Sequence, residues 1–530
     1  MGVASKKCYT YDMYVRQKPN RSGSVSVVIV EKNGGKTRYL KTIGVSSDKK
    51  IITELYKQGK KWIAEQCGTR DMFDLQAQEA EEQQVVDYLL SNIENILLNG
   101  TQIILNQVYK IIGFDAINDD ILKHLVTARL CQPLSKTGTV DYLKSYFDED
   151  IMLYKIYRYL DKLNDTQKDA IQKISVEHTR KILGGRIGLV FYDVTTLYFE
   201  TDIADDLRKT GFSKDGKHSQ PQVVLGLLVS EGGYPLAYSI HEGNKYEGHT
   251  MLPVIEEFTS KFNLSDFVIV ADSGLMSKAN ITLLEEKNYK YIIGARIKNE
   301  GKAVANWIFS QNKVDGVFCE YQKSEKCRLI VGYSVKRAKK DSYNREKGIR
   351  KLERDYKNGS ITKDKINKRG YNKFLEISSG VEVKIKYEKV QEDEKWDGFK
   401  GYITNTALPA NLIYQQYSGL WQIEHAFRIS KGTLELRPMF HFTKKRIEAH
   451  VCICFAAYKV YKELERILKA CNINLSVDSV LNIAKTITTM KIKLPISGKT
   501  LIKTMLITEK HKSIEMLFDN NFWKNYLGVA

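Results

Sequence analysis

The chain has 530 residues, 43% of them hydrophobic and 27% charged, which is ordinary for a soluble globular protein of three or four domains. Its 82 Lys/Arg against 63 Asp/Glu give a net charge of +19 and a pI near 9.2, an excess that points to a polyanionic partner, nucleic acid ahead of an anionic membrane. No apolar run approaches a membrane span, V-C-I-C-F-A-A at 451–457 being typical of the longest.

The N-terminal M-G-V-A-S-K-K lacks the apolar core of a secretory signal, and Lys6 breaks the myristoylation pattern. A cytoplasmic protein is expected, with nucleic acid as partner, no membrane and no small-molecule substrate. Cysteines at 8, 67, 131, 319, 327, 452, 454 and 471 form no C-x2-C pair, so free thiols are expected rather than a zinc site.

Residues 9–45 alternate in the manner of strands, with a turn at Asn33-Gly34-Gly35. They predict a small antiparallel sheet in a basic, β-rich region, 1–47. Arg16, Lys18, Arg21, Lys32, Lys36, Arg38 and Lys41 decorate it, as they would either a ribbon entering a DNA groove or a solvated sheet face. From 48 to 183 the apolar spacing is helical, predicting short helices that either read DNA ends or brace the next domain.

R-I-G-L-V-F-Y-D (186–193) reads as a buried strand ending in an acid, and 221–230 and 234–240 as strands joined at Glu231-Gly232-Gly233. A helix, a strand at 266–272, a second helix and a fifth strand at 289–296 follow. A three-strand meander and then helix, strand, helix, strand give the α/β class: a mixed five-stranded sheet flanked by helices, its first part at 184–296. Residues 297–400 interrupt that sheet. Within them, 336–373 hold 15 Lys/Arg against 5 Asp/Glu, favouring a DNA-contacting insertion built on a charged helix or helical hairpin. C-R-L-I-V-G-Y-S-V and V-E-V-K-I-K-Y look like strands, and K-G-Y-I-T-N leads into the last part of the core, 401–465. Residues 466–530 predict packing or self-association.

Tyr417, Trp421, Glu424, Arg428 and Lys431 follow in steps of four, three, four and three, which puts them on one face of a single predicted helix. Such a stripe suits a surface holding a metal ion through Glu424 and phosphates through the cations, and equally a solvated face with incidental aromatics. Asp193 ends the first sheet strand and Asp272 the fourth, and those strands can be neighbours. Each acid alone is also an ordinary turn cap. Three carboxylates brought together repel unless a cation lies between them, and hard oxygen ligands with open positions call for Mg2+ or Mn2+. Two such ions about 4 Å apart activate a water and stabilise a leaving 3′ oxygen in phosphodiester cleavage.

The pattern resembles the DDE transposases of bacterial insertion sequences, whose catalytic core is ribonuclease-H-like. Their motif Y-x2-R-x3-E-x6-K is matched in spacing by Tyr417, Leu420, Glu424 and Lys431. The departure is Leu420, where the family usually has Arg; Arg428, one turn beyond Glu424, is the candidate to supply that charge. Y-D-V-T-T (192–196) and A-D-S-G (271–274) match the context of the first two acids. G-F-S-K-D-G-K (211–217), Q-V-V-L-G-L-L-V (222–229), the Glu242-Gly243-Asn244 turn and R-P-M-F-H (437–441) add to the similarity, which spans roughly 110–465.

The resemblance implies that Asp193, Asp272 and Glu424 are catalytic and hold two Mg2+ or Mn2+ ions. It implies that Tyr417 and Lys431 contact phosphates of the transposon end, and that Trp421 stacks on a flipped base, core packing being its competing reading. Arg437 and His441 are implied to touch DNA. The implied activity is cleavage at transposon ends and joining of the 3′ hydroxyl to target DNA, by a homodimer on DNA. A nuclease without strand transfer and a catalytically dead DNA-binding descendant are the alternatives. Glu200 and Asp202 are rival acids near the first strand.

Overall fold

The computed structural model describes residues 12–67, 72–213, 216–275, 277–358, 370–378, 382–518 and 522–523. The expectations for residues 1–11 (Cys8 among them), for Lys214-Asp215, for 359–369 and for Val381 lie outside these. The chain divides into two compact units, Met1–Asn95 with Met490–Leu501, and Ile96–Thr489 with Ile502–Ala530.

In the first unit the strands Asp12–Pro19, Val25–Asn33 and Lys36–Ser46 form an antiparallel sheet. Asn33 pairs with Lys36 across a two-residue turn whose central residues, Gly34 and Gly35, have φ of +56° and +81°. A side chain would be strained at either position, which is why Gly-Gly makes this turn. The helix Lys49–Cys67 covers one face, packing Ile52 and Leu55 on Val15 and Val27. All seven cations of the strands and turns are exposed.

The second unit is built on one mixed sheet. Its strands are β1 (Leu189–Tyr198), β2 (Gln222–Ser230), β3 (Pro235–Glu242), β4 (Val268–Ala271), β5 (Lys290–Ala295), β6 (Phe318–Gln322), β7 (Arg328–Tyr333) and β8 (Phe399–Thr404). They lie in the order β6-β7-β8-β5-β4-β1-β2-β3, with β1-β4 and β4-β5 parallel and the other pairs antiparallel. The sequence predicts five strands; the sheet has eight. Two strands from residues 297–400, β6 and β7, and β8, which starts at the end of that stretch and runs to Thr404, extend the sheet beyond β5, because the alternating apolar residues of β7 and β8 need cover on both faces as much as those of β1 do. V-E-V-K-I-K-Y is not among them, since Glu382–Ile385 pairs with Leu375–Ser378 in a separate hairpin.

Period-two alternation sorts the sheet's side chains into two cores. Val190, Tyr192, Ile269, Ala271 and Ile293 face the helices α1 (Met251–Phe262) and α2 (Lys278–Glu286). Phe191, Val270, Ile292 and Tyr402 face the other side. That side is covered by α4 (Ala410–Ser418), α5 (Trp421–Lys431) and the long, largely buried α6 (Lys444–Ala470). The basic stretch supplies one continuous helix, α3 (Val335–Lys357), whose buried Arg345 grips Asp397 with a two-armed pair, one arm at 2.6 Å. Among the described residues the cysteines are free, and no helix is long and apolar enough to cross a membrane.

Candidate active site

Register brings the first two acids together. Tyr192 of β1 pairs with Ala271 of β4 in parallel, so the next residues, Asp193 and Asp272, stand side by side where β4 ends. By alternation they share the face of Phe191 and Val270, the face that α4 and α5 cover. Glu200 and Asp202 are exposed beyond β1, and Glu200 accepts a bond from Gln220 at 3.3 Å.

The predicted single helix is broken. α4 stops at Ser418 and α5 starts at Trp421. Between them the backbone bonds step three residues instead of four: Leu420 N–H donates to the Tyr417 carbonyl at 3.0 Å, and Gln422 N–H to that of Gly419 at 3.0 Å. This tightened turn is pressed onto β1, where a Cβ on Gly419 would lie 2.7 Å from the Phe191 ring. Only glycine lets the chain approach so closely.

The break splits the expected stripe. Trp421, Glu424 and Arg428 are exposed on α5, with Lys431 half-buried in its last turn. Trp421 is 61% exposed, which overturns core packing for it. Tyr417 instead turns inward, 5% exposed, and its hydroxyl donates to Asp272 Oδ1 at 3.0 Å. Burial and the Asp272 carboxylate raise its pKa far above the ordinary phenol range, so it remains a neutral donor. Gly294 of β5 makes room for it, since a Cβ there would sit 2.5 Å from the Tyr417 oxygen.

A cation that the sequence reading missed completes this group. Lys400 of β8 places its Nζ 4.5 Å from the Tyr417 ring centre and 5.5 Å from that of Tyr402. Burial and Arg337 lower its pKa, while Asp272 and Glu424 raise it. The same two carboxylates raise Tyr417, so all four side chains share one electrostatic neighbourhood. Leu420, at the motif position usually held by Arg, is buried and apolar. The signal in the sequence was the alternation K-G-Y, which sets Lys400 and Tyr402 on one strand face.

A 710 Å³ cavity opens over these residues, lined by Asp272, Arg296, Arg337, Lys400 and Tyr417 among others. Two of its other acids are committed elsewhere, Asp393 to Lys298 and Lys373 at 2.7 and 2.6 Å, and Asp397 to Arg345. A third lining acid, Asp341, pairs with Arg337 at 3.5 Å, so Arg296 and Lys400 leave a cationic wall beside Asp272. Arg437 and His441 are not part of this cavity. They line a separate one, with the Arg437 guanidinium 6.0 Å from the Tyr198 ring and His441 5.1 Å from the His450 ring.

Asp193 and Asp272 offer adjacent hard oxygen donors, and Glu424 a third on the first turn of α5, a donor set chemically suited to a divalent cation. Among the described residues, no three His, Cys, Asp or Glu side chains are gathered closely enough to hold a metal ion in this conformation.

Residues 185–459 match the family described as the transposase DDE domain. The piggyBac transposase synaptic complex with hairpin DNA is similar at 8% identity and a TM-score of 0.38, over 69% of this chain and 70% of that one. The Mos1 transposase paired-end complex with the left transposon end is similar at 10% identity and a TM-score of 0.15, over 30% of this chain and 53% of that one. No curated protein matches the chain.

Proposed function

The chain belongs to the transposase DDE-domain family, enzymes that act on DNA, and on that premise we propose that it cuts DNA at the ends of its own element and joins the freed 3′ hydroxyl to target DNA. The observation that carries this reading is the parallel pairing of Tyr192 with Ala271, which sets Asp193, within β1, beside Asp272 at the end of β4, with Tyr417 bonded to the second. We read β3-β2-β1-β4-β5 as a ribonuclease-H-like core to which β8, β7 and β6 have been added.

DDE transposases use divalent metal ions. Asp193, Asp272 and Glu424 are the residues that would hold two Mg2+ or Mn2+ here. When bound, such ions supply Lewis-acid stabilisation of charge at the phosphoryl oxygens. The protein's own side chains do the rest. Tyr417 holds one oxygen of Asp272 in place, leaving the other to act as a ligand. Lys400 meets the phosphate beside Asp272, in the role of the motif Arg that Leu420 does not fill. Arg428 and Lys431 contact the backbone along α5, and the exposed Trp421 stacks on an unpaired base. The exposed cations of the N-terminal sheet and α3 would hold element-end and target DNA. Cutting two ends in one assembly implies a homodimer on DNA.

The test is cleavage of plasmid DNA carrying the element's ends, with Mg2+ or Mn2+, for wild type, Asp272→Ala and Glu424→Gln. Metal-dependent cuts at the end junctions, lost in both variants, are expected, together with joined products. Binding of the ends without cutting in either metal would sink the enzyme reading in favour of a DNA-binding relic. Cuts without joined products would leave a nuclease.

A further inference from the structure

The second cavity, of 720 Å³, lies between the helix Asp120–Cys131, the start of the helix Lys136–Phe147, the segment 435–443 and α6. Its wall holds Arg129, 7% exposed, Lys136, 6%, and His450, 5%. Neither Arg129 nor Lys136 is matched by a hydrogen bond or an ion pair among the described residues. His450 Nδ1 is also buried without a partner.

Uncompensated cations this deeply buried repel one another. Burial and the neighbouring Arg129 push Lys136 down to about 7. Burial, Lys136 and Arg129 push His441 down to about 4, and burial with the same two cations holds His450 well below its ordinary range. The acids nearby do not neutralise them. Glu435 lines the cavity but is exposed and pairs with neither, and Asp161 is taken by Arg446 at 2.7 and 3.0 Å.

An anion would satisfy all of these groups together. Lys136 opens its helix, so the positive end of that helix adds to the field in the cavity. At the mouth, Phe440 and Phe442 are 68% and 55% exposed. Exposed phenyl rings beside a cationic pocket suit an anion that carries flat bases with it.

We propose that this cavity binds a backbone phosphate of single-stranded DNA, with Arg129 and Lys136 as its counter-charges and Phe440 and Phe442 as stacking surfaces for the adjoining bases. The choice of DNA as the source of the phosphate rests on the transposase reading; the anion site does not.

The full-length protein would be unfolded thermally in inorganic phosphate and in chloride at matched ionic strength. Phosphate is expected to raise the Tm of wild type by several degrees and that of Lys136→Met by much less. Lys136→Met itself removes a buried charge and should fold at least as well as wild type. Anisotropy with a single-stranded oligodeoxynucleotide is the second arm. Lys136→Met should bind about tenfold more weakly at low salt, with a salt slope reduced by about one. Phe440→Ala, a change at an exposed position, should weaken binding by about tenfold.

Equal phosphate shifts in wild type and Lys136→Met, or no shift in either, would overturn the anion site. A phosphate shift specific to wild type with oligonucleotide affinity unchanged in both variants would overturn DNA as its source. Neither arm needs metal or cutting, so a wild type that fails to cleave element ends would defeat the transposase reading and leave this result to be judged by itself.

Discussion

Tyr417 and Asp272 lie 145 residues apart in sequence and are joined by a 3.0 Å hydrogen bond from the phenol to the carboxylate. A charge-assisted bond of this kind fixes the rotation of the carboxylate, and its loss costs about 1.5–3 kcal/mol. Tyr417→Phe keeps the buried ring and removes only the donor. Cleavage should fall about tenfold to a hundredfold while affinity for element-end DNA is unchanged. A parallel fall in affinity would show that the hydroxyl serves DNA instead.

Gly294 tests the same bond from the other side. Ala at this position would drive its Cβ to 2.5 Å from the Tyr417 oxygen and displace it. Gly294→Ala should therefore lose about as much activity as Tyr417→Phe. The double variant should be no worse than either single one, because the clashing oxygen is gone. Additive losses would mean that Gly294 acts through the sheet and not through Tyr417.

Lys400 is the cation nearest the Tyr417 ring in the cavity beside Asp272. Lys400→Met should reduce cleavage about a hundredfold, the scale for removing one group that stabilises developing charge. Adding Leu420→Arg, which restores the usual motif, should recover at least about tenfold of that. Near-normal cleavage by Lys400→Met would remove Lys400 from the phosphate.

Acid should unfold the protein through buried neutral histidines. Burial, with Lys459 and Arg466 nearby, pushes His178 down to about 3, and His450 is held well below its ordinary range. The Glu463 carboxylate 3.8 Å from His178 is already engaged by Arg466 at 2.7 Å. In the unfolded chain both histidines titrate near pH ~6.5. Below that pH the unfolded chain binds more protons than the fold does. Stability is therefore full above about pH 7 and falls as the pH drops, by about 1.4 kcal/mol per pH unit for each histidine. His441, pushed down to about 4, adds a third such group. Urea unfolding at pH 7 and pH 5 should show this loss, and His178→Gln should remove about a third of the part these three histidines contribute. An unchanged pH slope in that variant would place the acid sensitivity elsewhere.

The strands that carry Asp193 and Asp272 were legible because each has an apolar run leading to an acid, and their adjacency followed from the order of elements. Asp193 does not end its strand as expected, since β1 runs on to Tyr198. The break between α4 and α5 was not. Gly419 and Leu420 sit inside a helical pattern, and the turn tightens because Gly419 meets Phe191, a tertiary contact with no local signature. That one contact moved Tyr417 off the stripe and into the core. Lys400 was missed for a related reason: its importance comes from the pairing of β8 with β5, a long-range contact that brings it into the cavity beside Asp272. The exposure of Glu424 and Arg428 was readable from their spacing on α5, whereas for Trp421 core packing competed and only the structure decided.

Because β8 is hydrogen-bonded on one side to β5 and on the other to β7, the insertion cannot be trimmed away as a dispensable appendage. Excising residues 297–400 would remove β6, β7 and the first two residues of β8, leave 401–404 paired to β5, and bare the other side of β8, turning an interior strand into a sticky edge prone to aggregation. Any minimal version of the enzyme has to keep β7 and β8, or else redesign the border of its sheet.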